Sequence, residues 1–490
     1  MAKNYKAMAA AIPMEDRPIS KKNVSGLGNF FGIYGGEHIA ATEFVIGATL
    51  VTLGVKATDI KFVLVVIVLG IIVTLVAANG FEAVAKFSSV CVPWMIVVFM
   101  AGFFVVIPQL IRATGAANLH SFGDFMNLMN TSVWSGAVIK GGQKLTMFHV
   151  AGFAWMCNLA YHGGLNDMAL FRYAKSPKYG FVTSYGMFIG HFFAWGSGGI
   201  MGATASILLN KSLLILDSGA ITSAVLGATG LLAVIIAGWT TANPSIYRAS
   251  LAYETIFTKI SPKKVTYGVG AVMTLVGCFP ITMNIMTIVN IIVLVVPAIG
   301  AIVFAEHWII PKLGGTRCWA SYKGLKINYA GLIAWLLSLA FVSYMTITGT
   351  IHSYFLFLPT YLIAMIAYVI LALNMGARDD YSAQVEEEKK VMEELEKIQE
   401  EEDEEQVNYV SKNPGLQKLA ARASYVVLAA FAIFTISVFL GKASVLQWKT
   451  YSFPITIVYF VLGGLATYLK YGYAEKEGNV TGAEDLANDL

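Results

Sequence analysis

The feature that most constrains this chain is a series of twelve apolar segments, most of them about 20 residues long or longer. About 20 such residues cross the roughly 30 Å hydrocarbon core of a bilayer as one α-helix. A helix also satisfies its own backbone polar groups, which the bilayer core cannot do. The sequence therefore predicts an all-α polytopic membrane protein with about 12 transmembrane helices. The segments lie at 27–53, 59–78, 90–111, 145–165, 181–208, 220–246, 265–281, 283–305, 328–348, 352–374, 421–441 and 452–471.

Composition and motifs narrow the class of function. Of the 490 residues, 57% are hydrophobic and only 13% are charged, whereas about 25% are charged in soluble domains. The four cysteines occur singly, so the sequence suggests neither a disulfide framework nor a CxxC metal site. The sequence contains no P-loop, HExxH or GxSxG motif. We therefore predict a membrane protein that is not an enzyme, has no cofactor and binds no nucleic acid.

The basic residues predict the topology. The N-terminus has no cleavable signal pattern, so we expect it in the cytoplasm. With the loops assigned alternately from that end, 26 of the 34 Lys and Arg residues fall on the cytoplasmic side and 8 on the other. On this assignment Arg172, Arg248 and Arg317 lie in cytoplasmic loops. The bias predicts an even number of spans in the plasma (inner) membrane with both termini cytoplasmic.

One charged segment interrupts the apolar pattern. Residues 378–413 are rich in Glu and Lys, and their few apolar residues have the spacing of a weakly amphipathic helix. The segment is either a solvated linker or a docking site for a cytoplasmic partner or regulatory element. The predicted organisation has five parts: a cytoplasmic N-terminus (1–25), a core of about 10 helices (26–376), the acidic linker (377–419), two C-terminal helices (420–472) and a cytoplasmic tail (473–490).

Polar residues inside three of the spans indicate a binding site. The sixth span carries Trp239, Thr240, Thr241 and the helix-breaking pair Asn243-Pro244. Two adjacent hydroxyls there supply oxygens that suit a small cation. The first span carries the charged side chains Glu37 and Glu43, together with His38. A charge at the bilayer centre costs roughly 2.5 to 3.5 kcal/mol. We therefore expect these carboxylates to face the protein interior or a cavity, unless Glu37 lies near the cytoplasmic surface or a carboxylate is protonated.

The fourth span has its own polar group around Gly163-Gly164. Tyr161 is suited to stack on a planar ligand, while His162 and Asn158 are suited to hydrogen-bond its edge. A purely structural role for His162 is the open alternative. Asp167, close to a basic loop, is expected to pair with Arg172 or Lys175.

Four stretches, in order along residues 58–312, carry a resemblance to a known family. GWTTANPSIYRASLAYE resembles the eighth-helix motif of the nucleobase:cation symporter-1 family, the cytosine and purine permeases. NGFEAVAKFSSVCVPWM, LNDMALFRYAKSPKYG and VVPAIGAIVFAEHWI resemble further helices of that family. The resemblance implies a five-plus-five inverted-repeat transporter fold, here followed by two extra C-terminal helices. It also implies broken first and sixth helices around a substrate site at the midplane.

The resemblance also implies site residues. Thr240 and Thr241 match the two hydroxyls that bind sodium in the family, with carbonyl partners from Gly36 and Ala40 of the first span. The family's substrate-stacking aromatic falls on Ala160, with Tyr161 adjacent. The predicted substrate-binding residues are Glu37, His38, Glu43, Asn158, Tyr161, His162, Asn166 and Trp239.

One departure from the family follows from counting spans. The second and third family helices have no counterpart between about Gly54 and Asp59, so the first repeat is incomplete. In the alternative assignment, the first span is the family's third helix. In the family the third helix supplies a second stacking aromatic. Its absence either puts transport competence in question or requires that a neighbouring subunit of a homo-oligomer or the two C-terminal helices complete the structure. The predicted function is Na⁺- or H⁺-coupled uptake of a nucleobase-like or other small heterocycle by alternating access. The alternative is a non-transporting membrane sensor or scaffold derived from such a carrier.

Overall fold

The computed structural model of the chain describes most of its length and is almost entirely helical. The described residues are 4–12, 17–39, 60–136, 145–212, 216, 218–279, 285–404, 411, 413–471, 473–476 and 479–482. Each of the twelve predicted segments contains a helix in its described part. Within these ranges, 7 helices are long and apolar enough to cross a membrane. The chain is therefore an integral membrane protein, and the prediction of an all-α polytopic fold is confirmed.

The helices follow one another closely along the chain. In the N-terminal part they are α1 (Tyr5–Ala10), α2 (Leu27–Ile39), α3 (Ile60–Ala78), α4 (Gly80–Phe104), α5 (Val106–Thr114), α6 (Phe122–Ser132), α7 (Met147–His162), α8 (Met168–Phe171), α9 (Val182–Met187) and α10 (Trp195–Leu209). They continue as α11 (Ser218–Glu254), α12 (Pro262–Gly277), α13 (Ile285–Phe304), α14 (Trp319–Tyr322), α15 (Tyr329–Thr348), α16 (Phe357–Met375), α17 (Ser382–Glu404), α18 (Pro414–Phe439) and α19 (Val445–Tyr471).

Shorter elements join some of these helices. They are 3₁₀ turns at Pro177–Phe181, Pro311–Leu313 and Ser353–Phe355 and π-helical turns at Phe188–Ala194 and Ala305–Ile309. Near the C-terminus, β1 (Tyr473–Lys476) and β2 (Asn479–Gly482) form an antiparallel pair. This pair was not predicted. The proposed loss of two helices falls at residues 54–59, outside the described residues, so the incomplete repeat stays a prediction.

The chain forms two compact units, each built from separate stretches. The first unit contains residues 1–24, 138–173 and 283–404. Its core lies around Trp319 and Tyr368, both fully buried. The Tyr368 hydroxyl donates to Glu306 (2.5 Å) and accepts from Trp319 Nε1 (3.3 Å) and Asn328 Nδ2 (3.1 Å). This network satisfies the polar atoms of the buried aromatic residues, as a low-dielectric interior requires.

The second unit contains residues 25–137, 174–282 and 405–490. Its core is built on α4, α5, α10, α11, α18 and α19. Trp94 and Trp448 are completely buried there, and their indole nitrogens donate to Thr456 (2.9 Å) and Thr435 (3.0 Å). The two C-terminal helices therefore pack into the same core as α4.

A pair of glycines brings α3 and α12 together. A Cβ added to Gly70 would lie 2.2 Å from Thr274 Oγ1, and one added to Gly270 would lie 2.2 Å from Thr74 Oγ1. Each threonine lies four residues after the glycine of its own helix, and its hydroxyl donates to that glycine's carbonyl (2.6 and 2.7 Å). The glycine of each helix thus receives the threonine of the other. Such close packing at small residues is favoured between helices in lipid.

The long helix α11 is interrupted, but not where the sequence predicted. Gly227 has φ 64° and ψ −147°, so the helix breaks near its first third. Pro244 instead lies inside continuous helix. The prediction that Asn243-Pro244 breaks the helix is therefore wrong, because neighbouring groups in a membrane protein can satisfy the carbonyl that proline frees.

Candidate cation and substrate site

The polar stretch of α11 lies directly against α2 within the second unit. The contact is made at Gly36, where an added Cβ would lie 3.1 Å from both Thr240 Cβ and Val92 Cγ2. Thr240 is completely buried. A side chain at position 36 would therefore require Thr240 and Val92 to move by a few tenths of an ångström in a closely packed contact.

Two threonine hydroxyls of α11 meet two backbone carbonyls of α2. Thr240 Oγ1 lies 3.1 Å from Gly36 O, and Thr241 Oγ1 lies 3.3 Å from Glu37 O. Both hydroxyls also lie close to Ala237 O, one turn back on their own helix, at 3.0 and 3.2 Å. Five oxygens from two helices therefore converge on one place. Of the predicted cation ligands, the structure brings together Gly36, Thr240 and Thr241, whereas Ala40 lies outside the described residues.

Glu37 is held by an ion pair. Arg248 NH1 donates to Glu37 Oε1 at 2.5 Å and NH2 donates to Oε2 at 3.0 Å, and each side chain is 12% exposed. The topology prediction placed Arg248 in a cytoplasmic loop, but the structure places it on α11. A carboxylate in an apolar segment needs a partner, and Arg248 is that partner for Glu37. The two charges neutralise each other next to the oxygen cluster.

Buried polar atoms without a hydrogen-bond partner in the described part of the chain lie nearby, on α11 and on its neighbour α4. Asn243 is completely buried, and neither its Oδ1 nor its Nδ2 has a hydrogen-bond partner in the described part of the chain. The same holds for the buried Nε1 of Trp239 and the hydroxyl of Ser88. Trp239 packs against Phe87, with ring centroids 4.8 Å apart. Buried polar atoms are normally satisfied, so this region has unused capacity for binding polar groups.

The remaining predicted residues lie in the first unit, on α2 or outside the described part of the chain. In the first unit, His162 Nδ1 hydrogen-bonds Asp167 Oδ2 across the turn that follows α7, and Asn166 in that turn is half-buried. Asn158 and Tyr161 lie on α7, but their side chains are not among those described, nor is that of His38 on α2. Glu43 falls outside the described residues.

Sequence reasoning missed two components of this site. The carbonyl of Ala237 has a recognisable signal, because Thr side chains in helices bond to carbonyls three or four residues back. The partner of Glu37 had none, because Glu37 and Arg248 are 211 residues apart. Within the described ranges, no group of three or more His, Cys, Asp or Glu side chains could hold a metal ion.

Comparison with known proteins gives a likeness in structure but none in sequence. No protein-family model matches the sequence, and no curated protein matches it. Among solved structures, the chain is similar to MHP1, a nucleobase-cation-symport-1 family transporter in a closed conformation with bromovinylhydantoin bound. The alignment covers 74% of this chain and 96% of that chain, at 13% identity and a TM-score of 0.37. At this identity and TM-score, neither family membership nor function follows from the likeness.

Proposed function

We propose that this protein is a cation-coupled secondary transporter whose cation site is the oxygen cluster between α2 and α11. The observation that carries the proposal is the meeting of the Thr240 and Thr241 hydroxyls with the carbonyls of Gly36 and Glu37. Neutral oxygens from hydroxyls and backbone are hard ligands that suit a weakly bound alkali cation. Sodium is the cation proposed for this site.

The hydrogen bonds indicate how an ion would bind. In the structure, the threonine hydroxyls lie at hydrogen-bond distance from the same carbonyls that would bind the ion. A cation at the centre of the cluster would attract the lone pairs of all five oxygens, and the hydroxyl protons would rotate away. Because Arg248 already neutralises Glu37, no net negative charge would hold the ion too tightly for release.

Coupling follows from the fact that the ligands belong to two helices. An ion that joins α2 to α11 stabilises the arrangement in which the two helices touch, by the difference in its affinity for the two states. Separation of the helices would remove two carbonyl ligands and release the ion. We propose that this two-state contact drives alternating access, with uptake across the plasma membrane as the direction of transport.

The proposed substrate is a small planar heterocycle with hydrogen-bonding edges, such as a nucleobase. Asn243 supplies both a donor and an acceptor without partners in the described part of the chain, and Trp239 supplies a free indole donor beside an aromatic face. Such groups recognise a ligand that has both an edge and a ring.

Sodium-dependent thermal stability of the purified protein, with uptake into proteoliposomes, tests the cation site. Thr241→Ala removes one ligand oxygen, and we expect it to weaken sodium binding by roughly tenfold or more, the effect of about 1.4 kcal/mol. Thr241→Ser keeps the hydroxyl and should retain most of the binding. Thr222→Ala is the matched control, because the bonds that its hydroxyl makes in the described part of the chain stay within α11, to Ser218 and Gly219. Unchanged sodium dependence in Thr241→Ala would refute this site, and uptake driven by a pH gradient alone would assign the coupling to protons.

A further inference from the structure

The acidic helix α17 already has a partner, the chain's own N-terminal segment. We call residues 4–12 and 17–24 the N-terminal arm; both the arm and α17 belong to the first unit. The sequence predicted residues 378–413 to be either a solvated linker or a docking site. In the structure, α1 of the arm packs on α17.

The centre of this contact is apolar. Ala9 of the arm is completely buried against Val391 and Leu395 of α17, which are 8% and 1% exposed. Tyr5 and Ile12 of the arm pack around this centre, as do Met392 and Ile398 of α17. The weakly amphipathic pattern of the acidic segment therefore has a use, because its few apolar residues form one seam covered by the arm.

The rim of the contact is ionic, with bases on the arm and acids on the helix. Lys21 Nζ lies 2.8 Å from Glu396 and 3.5 Å from Glu400. Arg17 NH1 lies 3.3 Å from Glu402. Such exposed pairs are individually weak and are screened by salt, so the docked arm is held by many small contributions.

Ser20 lies where the rim is least exposed to water. Its hydroxyl donates to Asp403 Oδ1 at 2.8 Å, and Asp403 is only 9% exposed. Lys22 Nζ donates to the backbone carbonyl of Asp403 at 2.6 Å. A negative charge in place of the Ser20 hydroxyl would face the Asp403 carboxylate in a site with little water, and like charges at this distance repel strongly.

The arm is also anchored at a second place, and it leads directly into α2. Arg172 NH2, just after α8, donates to the Arg17 carbonyl at 2.6 Å. Lys22 is followed by only four residues, 23–26, before α2 begins at Leu27. A docked arm therefore fixes the chain immediately before the helix that carries Gly36 and Glu37.

We propose that α17 is a reversible dock for the N-terminal arm, a clasp controlled by charge that restrains the segment leading into α2. The clasp is independent of the proposed transport function. It opens when salt screens the ionic rim or when a negative charge is placed at Ser20. The basic, amphipathic arm is the occupant that fits this surface, because the seam is apolar and its surroundings are acidic.

Crosslinking of the full chain in native membranes tests the clasp. Ala9→Cys and Leu395→Cys are introduced together after Cys91, Cys157, Cys278 and Cys318 are replaced by serine. We expect rapid disulfide formation at low salt and a several-fold slower reaction at about 0.5 M salt, where the Debye length is only a few ångströms. A rate independent of salt would overturn control by charge, and no crosslink at any salt would overturn docking.

A matched pair at Ser20 separates charge from the loss of a hydrogen bond. We expect Ser20→Asp to slow crosslinking by roughly tenfold, because it brings two carboxylates together, whereas Ser20→Ala should stay near the parent rate. Hydrogen exchange in the same variants reads out the restraint. Amides of the arm and of the first turn of α2 should exchange faster in Ser20→Asp only. If the arm is released but the seam of α17 stays protected, another molecule occupies the dock and the proposal is wrong.

Discussion

Arg248 on α11 holds Glu37 on α2 through two hydrogen bonds, at 2.5 and 3.0 Å. Each of the two side chains is only 12% exposed. The carbonyl of Glu37 is also the group that meets Thr241 Oγ1 at 3.3 Å. One residue of α2 is therefore fixed to α11 through both its side chain and its backbone. The ion pair positions a carbonyl of the proposed cation site.

Removing either partner of this ion pair should be strongly destabilising. Replacing one partner of a fully buried ion pair typically costs about 3 to 5 kcal/mol, and these two side chains are largely buried, so each replacement takes the neutralising charge from a group with little access to water. We expect Glu37→Gln and Arg248→Gln each to lower the thermal unfolding temperature markedly, and the double variant to recover part of the loss. The coupling energy from the double-mutant cycle measures the pair.

Arg248→Lys is the conservative comparison for the same pair. It keeps the positive charge but cannot make two parallel hydrogen bonds to a carboxylate. Its stability should therefore lie between those of the parent and Arg248→Gln. If Glu37→Gln, Arg248→Gln and the double variant were all as stable as the parent, the ion pair would not hold the Glu37 carbonyl in place.

Thr240 provides a second test at the same contact, through its stability rather than through sodium. Its side chain is completely buried, and its hydroxyl lies 3.1 Å from Gly36 O and 3.0 Å from Ala237 O. Thr240→Val keeps the shape but removes the donor, and the loss of a typical hydrogen bond costs about 0.5 to 1.5 kcal/mol. Thr240→Ser should lose much less. Chemical denaturation in detergent, without sodium, is the measurement, and equal loss in both variants would point to packing alone.

The sequence predicted the helices well, and the reason is physical. A bilayer-spanning helix needs a run of apolar residues whose length is set by membrane thickness, so hydropathy alone locates it. Each predicted segment accordingly contains a described helix. The pairing of Thr240 and Thr241 with the first span was also expected, although from the family resemblance and not from periodicity.

Other features could not be predicted because they depend on neighbours distant in the sequence. Pro244 signals a break locally, yet the helix continues through it and breaks at Gly227 instead. The sequence predicts a loop position for Arg248, because a basic residue at the end of an apolar segment usually marks a cytoplasmic boundary. Its actual position, paired with Glu37, depends on the packing of α2 against α11, which no local pattern encodes.

The contact between α3 and α12 gives a prediction independent of the proposed transport function. Gly70→Ala or Gly270→Ala would place a methyl group 2.2 Å from a threonine hydroxyl of the facing helix. The helices would have to separate, and overpacking of this kind costs about 1 to 3 kcal/mol. Gly268→Ala on α12 is the control, since a Cβ there would meet nothing within 4 Å. We expect lower thermal stability for the first two variants only, and a comparable loss in Gly268→Ala would attribute the effect to helix backbone changes.

The ionic rim of the clasp predicts how docking of the N-terminal arm depends on pH. Lys21 donates to Glu396 and attracts it electrostatically, which lowers the pKa of the Glu396 carboxyl below its ordinary value of 4.5. The same hydrogen bond and charge raise the pKa of Lys21 above 10.5. The carboxylate therefore contributes to docking above its ordinary pKa, and the contribution is lost as the pH falls through the lowered value. The contribution of Lys21 to docking is complete below pH 10.5 and is lost only as the pH rises through the raised pKa of Lys21.

Docking should consequently be constant across neutral pH and weaken in acid. The docked fraction can be followed without pH-sensitive crosslinking chemistry, by pulsed electron paramagnetic resonance in a background without native cysteines. Spin labels on Ala7→Cys of the arm and Gln384→Cys of α17 report the distance between the two elements, and both positions are exposed, so the labels leave the apolar seam intact. The docked fraction should be unchanged between about pH 6 and 9 and decline below pH 4.5, where Glu396 takes up its proton. In Glu396→Gln the docked fraction at neutral pH should be lower and its fall in acid smaller, since one titrating partner is gone. A docked fraction that instead fell between pH 6 and 7 would show that a histidine, and not this pair of Lys21 and Glu396, controls the clasp.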